Sequence, residues 1–144
     1  MSKVLITVTG LAAPTAGGTP DQIKLTTTGE LTPIENGWRL DYQESQPDGS
    51  SAEDITVELT PDQVTMNRKG MFCASMVFIK DKRYEGRYNT PYGPIALAVF
   101  ATRVKVDADE ARGRVHLKYQ LELQGMVNSS NELILEYRKC LKQN

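Results

Sequence analysis

The sequence predicts an all-β protein, a closed up-and-down antiparallel β-barrel of about eight to ten strands. Three observations carry that expectation. Apolar and polar residues alternate through almost the whole chain, no segment holds a 3.6-residue period, and short turn signals recur between the alternating runs. With 144 residues, 40% of them hydrophobic and 24% charged, the chain has the size and composition of one globular domain, 1–144, that buries a core without metals or disulfides. A flat sheet of so many strands would leave two edges to pair with other chains, and closure removes them; a β-sandwich is the alternative architecture.

Lys3–Thr9 alternates, with Val4, Ile6 and Val8 on one face, and a loop of small residues, Leu11–Pro20, follows. Gln22–Ile34 alternates again. Asn36-Gly37 is the strongest hairpin signal, because a type I′ turn needs positive φ at both central residues. A loop at those two positions sets Leu31 opposite Tyr42 and Pro33 opposite Leu40, on the face that carries Ile23 and Leu25. Glu53–Leu59 and Val64–Lys69 pair across Thr60-Pro61-Asp62-Gln63, where Pro suits the second position of a type I turn. That register puts Leu59 opposite Val64, Val57 opposite Met66 and Ile55 opposite Arg68. Phe72–Ile79 and Arg83–Tyr88 form a hairpin around Lys80-Asp81-Lys82, with its register open because both faces of the first strand are apolar. Tyr88–Gly93 interrupts the alternation as a chain reversal or bulge. Ile95–Val106 and Val115–Leu123 then pair across Asp107–Arg114, so that Val104 meets Leu117, Thr102 meets Tyr119 and Phe100 meets Leu121. Glu132–Arg138 closes the meander with Leu133, Leu135 and Tyr137 inward.

Lys and Arg number 17 against 18 Asp and Glu, a balance that gives no electrostatic reason to bind nucleic acid or an anionic membrane. The basic residues Lys80, Lys82, Arg83 and Arg87 read as a solvated hairpin tip, since no aromatic row accompanies them for base stacking. No stretch approaches the roughly 18 apolar residues of a membrane span, and the first residues lack the apolar run of a secretory signal. Cys73 and Cys140 are expected to be free thiols in a reducing compartment, which makes the cytoplasm the expected location. The single histidine, His116, alternates with Lys118, Gln120 and Glu122, and is expected on the surface with no metal or haem bound. No phosphate-cradling glycine loop or nucleophile elbow is present, and no cofactor is expected.

The informative charges are Glu44 and Arg68, each continuing a face of core residues: Leu40 and Tyr42 for one, Val64 and Met66 for the other. If Tyr42 lies opposite Val57, Glu44 faces Ile55, which faces Arg68, and the two backbones stand about 10 Å apart at ~4.8 Å per strand step. Either both charges sit at strand ends in water, or they form an ion pair at one end of the barrel. Tyr42, Tyr119 and Tyr137 share the inner face with Thr27 and Thr102. A ligand site inside the barrel would take Tyr42, Glu44, Met66, Arg68, Tyr119 and Tyr137 as its wall, with Tyr88 and Tyr92 near the rim.

Tyr42-Gln43-Glu44-Ser45, Ser75-Met76-Val77-Phe78 and above all Tyr88-Asn89-Thr90-Pro91-Tyr92-Gly93 resemble the YwiB-like family, small bacterial proteins grouped as a domain of unknown function. The resemblance runs from about Ile23 to Arg138 and implies a calycin-like, lipocalin-type barrel; it implies no activity, cofactor or catalytic residue. Three classes of function stay open. The first is a module that holds a small amphipathic ligand inside the barrel. The second is an interaction or structural module with a filled barrel, a homodimer included. The third is an enzyme using Glu44 with a tyrosine such as Tyr119 as acid and base.

Overall fold

The computed structural model describes residues 2–14, 17–45, 52–70 and 73–140. Among these the chain forms β1 (Ser2–Pro14), β2 (Asp21–Ile34), β3 (Gly37–Ser45), β4 (Ala52–Thr60), β5 (Gln63–Lys69), β6 (Cys73–Ile79), β7 (Arg83–Thr90), β8 (Gly93–Ala108), β9 (Arg112–Leu123) and β10 (Met126–Lys139), with no helix. Each strand pairs antiparallel with its neighbours in sequence, and β1 pairs with β10 to close the barrel. The fold is therefore the closed meander that the alternation implies. Its connections alternate between two ends. The turn end carries Glu35-Asn36, Pro61-Asp62, Lys80–Lys82 and Asp109–Ala111; the loop end carries the β1–β2, β3–β4 and β5–β6 connections with Pro91-Tyr92 and Gln124-Gly125.

Inward residues at two-residue spacing build one core. Val4 and Ile6 of β1, Leu31 of β2, Leu40 of β3, Val57 and Leu59 of β4, Val64 of β5, Phe78 of β6, Val115 and Leu117 of β9 and Leu135 of β10 are buried and packed together. Apolar contact of this kind, with the closed ladder of backbone hydrogen bonds, stabilises the barrel.

Register follows turn chemistry, and the two hairpins with clear turn signals differ. Across Pro61-Asp62, Leu59 meets Val64, Val57 meets Met66 and Ile55 meets Arg68, as expected. At the β2–β3 hairpin Leu31 meets Leu40 and Pro33 meets Trp38, a shift of two residues from the pairing the Asn36-Gly37 signal implies. Asn36 alone takes the left-handed conformation, at φ 63°, and Gly37 enters the strand. There it meets a different demand: a Cβ on Gly37 would lie 1.9 Å from the Leu59 carbonyl oxygen. An even shift preserves facing, so Leu40 and Tyr42 still point inward.

Three further expectations are corrected. β1 continues to Pro14, into the segment read as a loop, because residues 11–14 find ladder partners on β10. Ile23 shares the inward parity of Leu25 but lies near the loop end of β2 and is 66% exposed. On β8 the register shifts between Ala101 and Arg103, so Ala101 meets Tyr119, Val99 meets Leu121 and Phe100 meets Gln120. The extra residue, Thr102, is exposed instead of inward. The β6–β7 register resolves to two pairs only, Cys73 with Asn89 and Ala74 with Tyr88, while the Asp81 amide donates to the Ala101 carbonyl at 2.7 Å. Phe72, expected at the start of that hairpin, lies outside the described residues. Cys73 and Cys140 are free thiols.

Gly113 pairs with Tyr137 in the β9–β10 ladder, and the Tyr137 ring lies over it. A Cβ at residue 113 would sit 2.2 Å from Tyr137 Cε2. The ring has little room to move, because its hydroxyl donates to the Asp109 carbonyl at 2.6 Å. Gly113→Ala is therefore expected to cost about 1–3 kcal/mol in urea unfolding, the usual range for overpacking. Tyr137→Leu in the same chain should recover part of that loss; simple additivity of the two substitutions would show that the ring is not the obstacle.

Candidate functional site

On the inner wall near the loop end, β3, β4 and β5 carry charge in place of hydrocarbon. Alternation along β3 places Tyr42 and Glu44 inward beyond Leu40; alternation along β4 places Glu53 inward beyond Ile55; and on β5 Arg68 follows Val64 and Met66. The β3–β4 ladder sets Tyr42 opposite Ile55 and Glu44 opposite Glu53. Glu44 thus faces a second carboxylate and not Ile55, again a two-residue shift that leaves facing unchanged. Arg68 answers both. Its Nη1 donates to Glu44 Oε1 at 3.0 Å and to Glu53 Oε1. The side chains are 24% exposed for Arg68, 31% for Glu44 and 2% for Glu53, so the cluster runs from solvent into the barrel. Burial pulls the Arg68 guanidinium down, but the hydrogen bonds and charge of Glu44, then those of Glu53, outweigh it and hold the pKa above its ordinary value.

Three tyrosines surround this cluster. Burial raises the Tyr42 hydroxyl pKa, the Glu44 charge raises it further, and Arg68 opposes both. Tyr119 is raised by burial against the pull of Arg68. Tyr88 is raised by burial, with Arg68 lowering it and Glu53 raising it. All three therefore stand within the field of one guanidinium and stay neutral, as hydrogen-bond donors, at physiological pH. The Tyr42 and Tyr119 hydroxyls make no hydrogen bond to a described residue, yet no fully enclosed side-chain polar atom among the described residues lacks a partner. Both hydroxyls accordingly face space that water can enter. The Tyr119 ring is fixed from below by Phe78, with centroids 4.8 Å apart.

The rest of the loop-end wall is largely apolar, apart from Ser129 and Asn131 of β10, which hydrogen-bond to one another opposite Leu121 and Tyr119. Met66 is buried one inward step from Arg68 and pairs with Met76, while Leu97 of β8 pairs with Leu123 of β9 and Val99 with Leu121. The barrel wall also parts here: the last β2–β3 pair is Gly29 with Tyr42, beyond which β2 pairs only with β1 and β3 only with β4. A recess of about 450 Å³, lined by Thr27, Thr28, Tyr42, Gln43 and Asp54 among others, lies over that parting.

Of the residues expected at the ligand site, Tyr92 is at the loop-end rim and Tyr137 is at the opposite end of the barrel. Tyr92 is 97% exposed at the tip of the β7–β8 turn, where Thr90 Oγ1 accepts from the Tyr92 amide at 3.1 Å and donates to the Gly93 carbonyl at 2.8 Å. Tyr137 is at the turn end; burial first, then the Asp109 charge, pushes its hydroxyl up to about 12, against the opposing hydrogen bond to Asp109. Conversely, Glu53 joins the site unforeseen. The signal existed, because Glu53, Ile55, Val57 and Leu59 share one period-two face.

His116 is half-buried instead of exposed. Arg103 Nε donates to its Nδ1 at 2.9 Å, which leaves Nε2 to donate to Glu132 Oε2 at 2.5 Å. Its neighbours at two-residue spacing on β9 are polar, but its cross-strand surroundings on β8 and β10 supply partners that cover it. Among the described residues no group of three or more His, Cys, Asp and Glu side chains is placed to hold a metal ion. At the basic tip Arg83 pairs with Glu85 at 3.0 Å and with Glu122.

A family model described as a domain of unknown function, DUF1934, matches residues 6–135. Among solved structures, the crystal structure of the ywiB protein from Bacillus subtilis is similar over 97% of this chain and 93% of that one, with a TM-score of 0.85 at 19% sequence identity. That likeness is one of fold, and it agrees with the resemblance carried by the Thr90-Pro91-Tyr92-Gly93 region. No curated protein matches the sequence.

Proposed function

We infer a function for a chain that belongs to the DUF1934 family: it binds a small amphipathic ligand at the loop end of its barrel, in the cytoplasm. The observation that supports this most is the Glu44–Arg68–Glu53 cluster on the inner wall. Charges in a barrel interior cost desolvation, and well-packed apolar residues at those positions would stabilise the fold as well or better. The Tyr42 and Tyr119 hydroxyls, which make no hydrogen bond to a described residue, and the leucines across the mouth supply the mixture of apolar surface and convergent polar groups that ligand pockets use. Burial holds the tyrosines neutral, so each hydroxyl can donate one hydrogen bond and accept another, which suits them to orient a bound molecule.

A filled-barrel interaction module is the second reading, favoured by the continuous packing of the core from Val4 to Tyr137. Native mass spectrometry of the protein purified from its own host separates the two. A bound small molecule that Arg68→Met removes supports the binding reading. A protein without adduct, and with no thermal shift on addition of hexan-1-ol or n-hexylammonium, overturns it and leaves interaction as the function.

A further inference from the structure

We propose that the ligand carries a monovalent cationic head, an alkyl- or arylalkylammonium, which docks against Glu44 beside Tyr42 while its apolar part lies along Leu97, Leu121 and Leu123. This rests on the binding reading above and names the chemistry of that site. Charge is the first ground. Glu44 and Glu53 stand opposite one another on adjacent strands and share a single Arg68 nitrogen, two anionic groups to one cationic group. The neighbouring cation, Lys69, has the opposite parity and is exposed on the outer wall, opposite Asp54 in the β4–β5 ladder. Among the described residues around the cluster, Tyr42, Tyr88, Tyr119 and Met66 bring no positive charge. An anionic head would enter a site of net negative charge, and a neutral one would leave the excess unused.

Geometry is the second ground, and it is independent of the first. Tyr42 is only 6% exposed, and its hydroxyl, set beside Glu44 and Arg68, has no hydrogen-bond partner among the described residues. The Glu44 oxygen that Arg68 does not engage, Oε2, likewise accepts no hydrogen bond from a described residue, and Glu44 is the more exposed carboxylate of the two. Arg68 therefore neutralises one carboxylate's worth of charge, and the open acceptor at Glu44 is where a further donor fits. An ammonium supplies three N–H donors and satisfies that oxygen and the phenol oxygen together, with the ring faces of the tyrosines favouring a cation over a neutral amine.

The test uses three probes of equal length on the full chain: n-hexylammonium, hexan-1-ol and hexanoate, titrated calorimetrically at neutral pH. Hexylammonium is expected to bind about tenfold or more tightly than hexanol, the usual worth of a charge-assisted hydrogen bond, and hexanoate not measurably. Glu44→Gln is expected to bring hexylammonium down to the hexanol level while hexanol binding holds. Equal binding of all three probes, or tighter binding of hexanoate, overturns the cationic head and leaves the binding site standing. Failure of every probe to bind overturns the site itself. The comparison among probes on the unmodified protein needs no variant, so a Glu44→Gln chain that melts early does not blunt it.

Discussion

Arg68→Met is expected to lower the free energy of unfolding by about 3–5 kcal/mol, read from urea denaturation at neutral pH, because it strips the guanidinium from two inward carboxylates. Methionine keeps most of the unbranched stem, so packing against Met66 and the strand changes little. What is lost is the hydrogen bond to Glu44 Oε1 at 3.0 Å and the one to Glu53, whose side chain is 2% exposed. Glu44, at 31% exposure, keeps water and carries the smaller share. The control is the triple variant Arg68→Met, Glu44→Gln, Glu53→Gln. It removes every formal charge from the cluster and is expected to recover most of the stability that Arg68→Met loses, since an uncompensated charge costs far more than a neutral amide. A loss below about 1 kcal/mol in the single variant would mean a cluster screened by water, of the kind exposed pairs form. An equal loss in the triple variant would mean that packing, not charge, is at stake.

The barrel was legible in the sequence because period-two alternation is a property of facing, and facing survives errors in register. The Asn36-Gly37 signal misplaced the β2–β3 pairing by two residues, yet Leu31, Leu40 and Tyr42 stayed inward. A separate two-residue shift between β3 and β4 put Glu44 opposite Glu53 and not Ile55, and still left Glu44 and Arg68 on one wall, in contact. A one-residue irregularity is a different matter. Thr102 bulges from β8, and every residue from there toward Leu97 reverses its face, which no propensity of Thr announces. Glycine was ambiguous for a related reason: Gly37 looks like a turn residue, but the close approach of the Leu59 carbonyl is what excludes a side chain there. His116 alternates with polar residues along its own strand, while its partners Arg103 and Glu132 come from the strands on either side, which alternation does not encode. Tyr137 has the right parity for the ligand site and the wrong end of the barrel, a distinction that alternation does not encode.

Phe78→Ala is the second large effect, expected to destabilise the barrel by about 3–5 kcal/mol. Phe78 is fully buried, and its strand is the least supported in the ladder: β6 keeps two pairs with β7, so its hold on the barrel rests on β5 and on what Phe78 packs against. Removing the ring opens a void beneath Tyr119, whose ring it meets at 4.8 Å with a tilt of 59°. Phe78→Leu fills most of that space and is expected to cost about 1 kcal/mol, the typical result of a near volume-conserving exchange. The aromatic contact itself is read by a double-mutant cycle with Tyr119→Leu, where a coupling of about 0.5–1.5 kcal/mol is expected. The same contact links core to site. Tyr119 freed from Phe78 no longer holds its hydroxyl toward Arg68, so Phe78→Leu should weaken n-hexylammonium binding in a protein that remains folded. Strict additivity in the cycle, with unchanged hexylammonium affinity, would separate the core from the site and leave Tyr119 positioned by its strand alone.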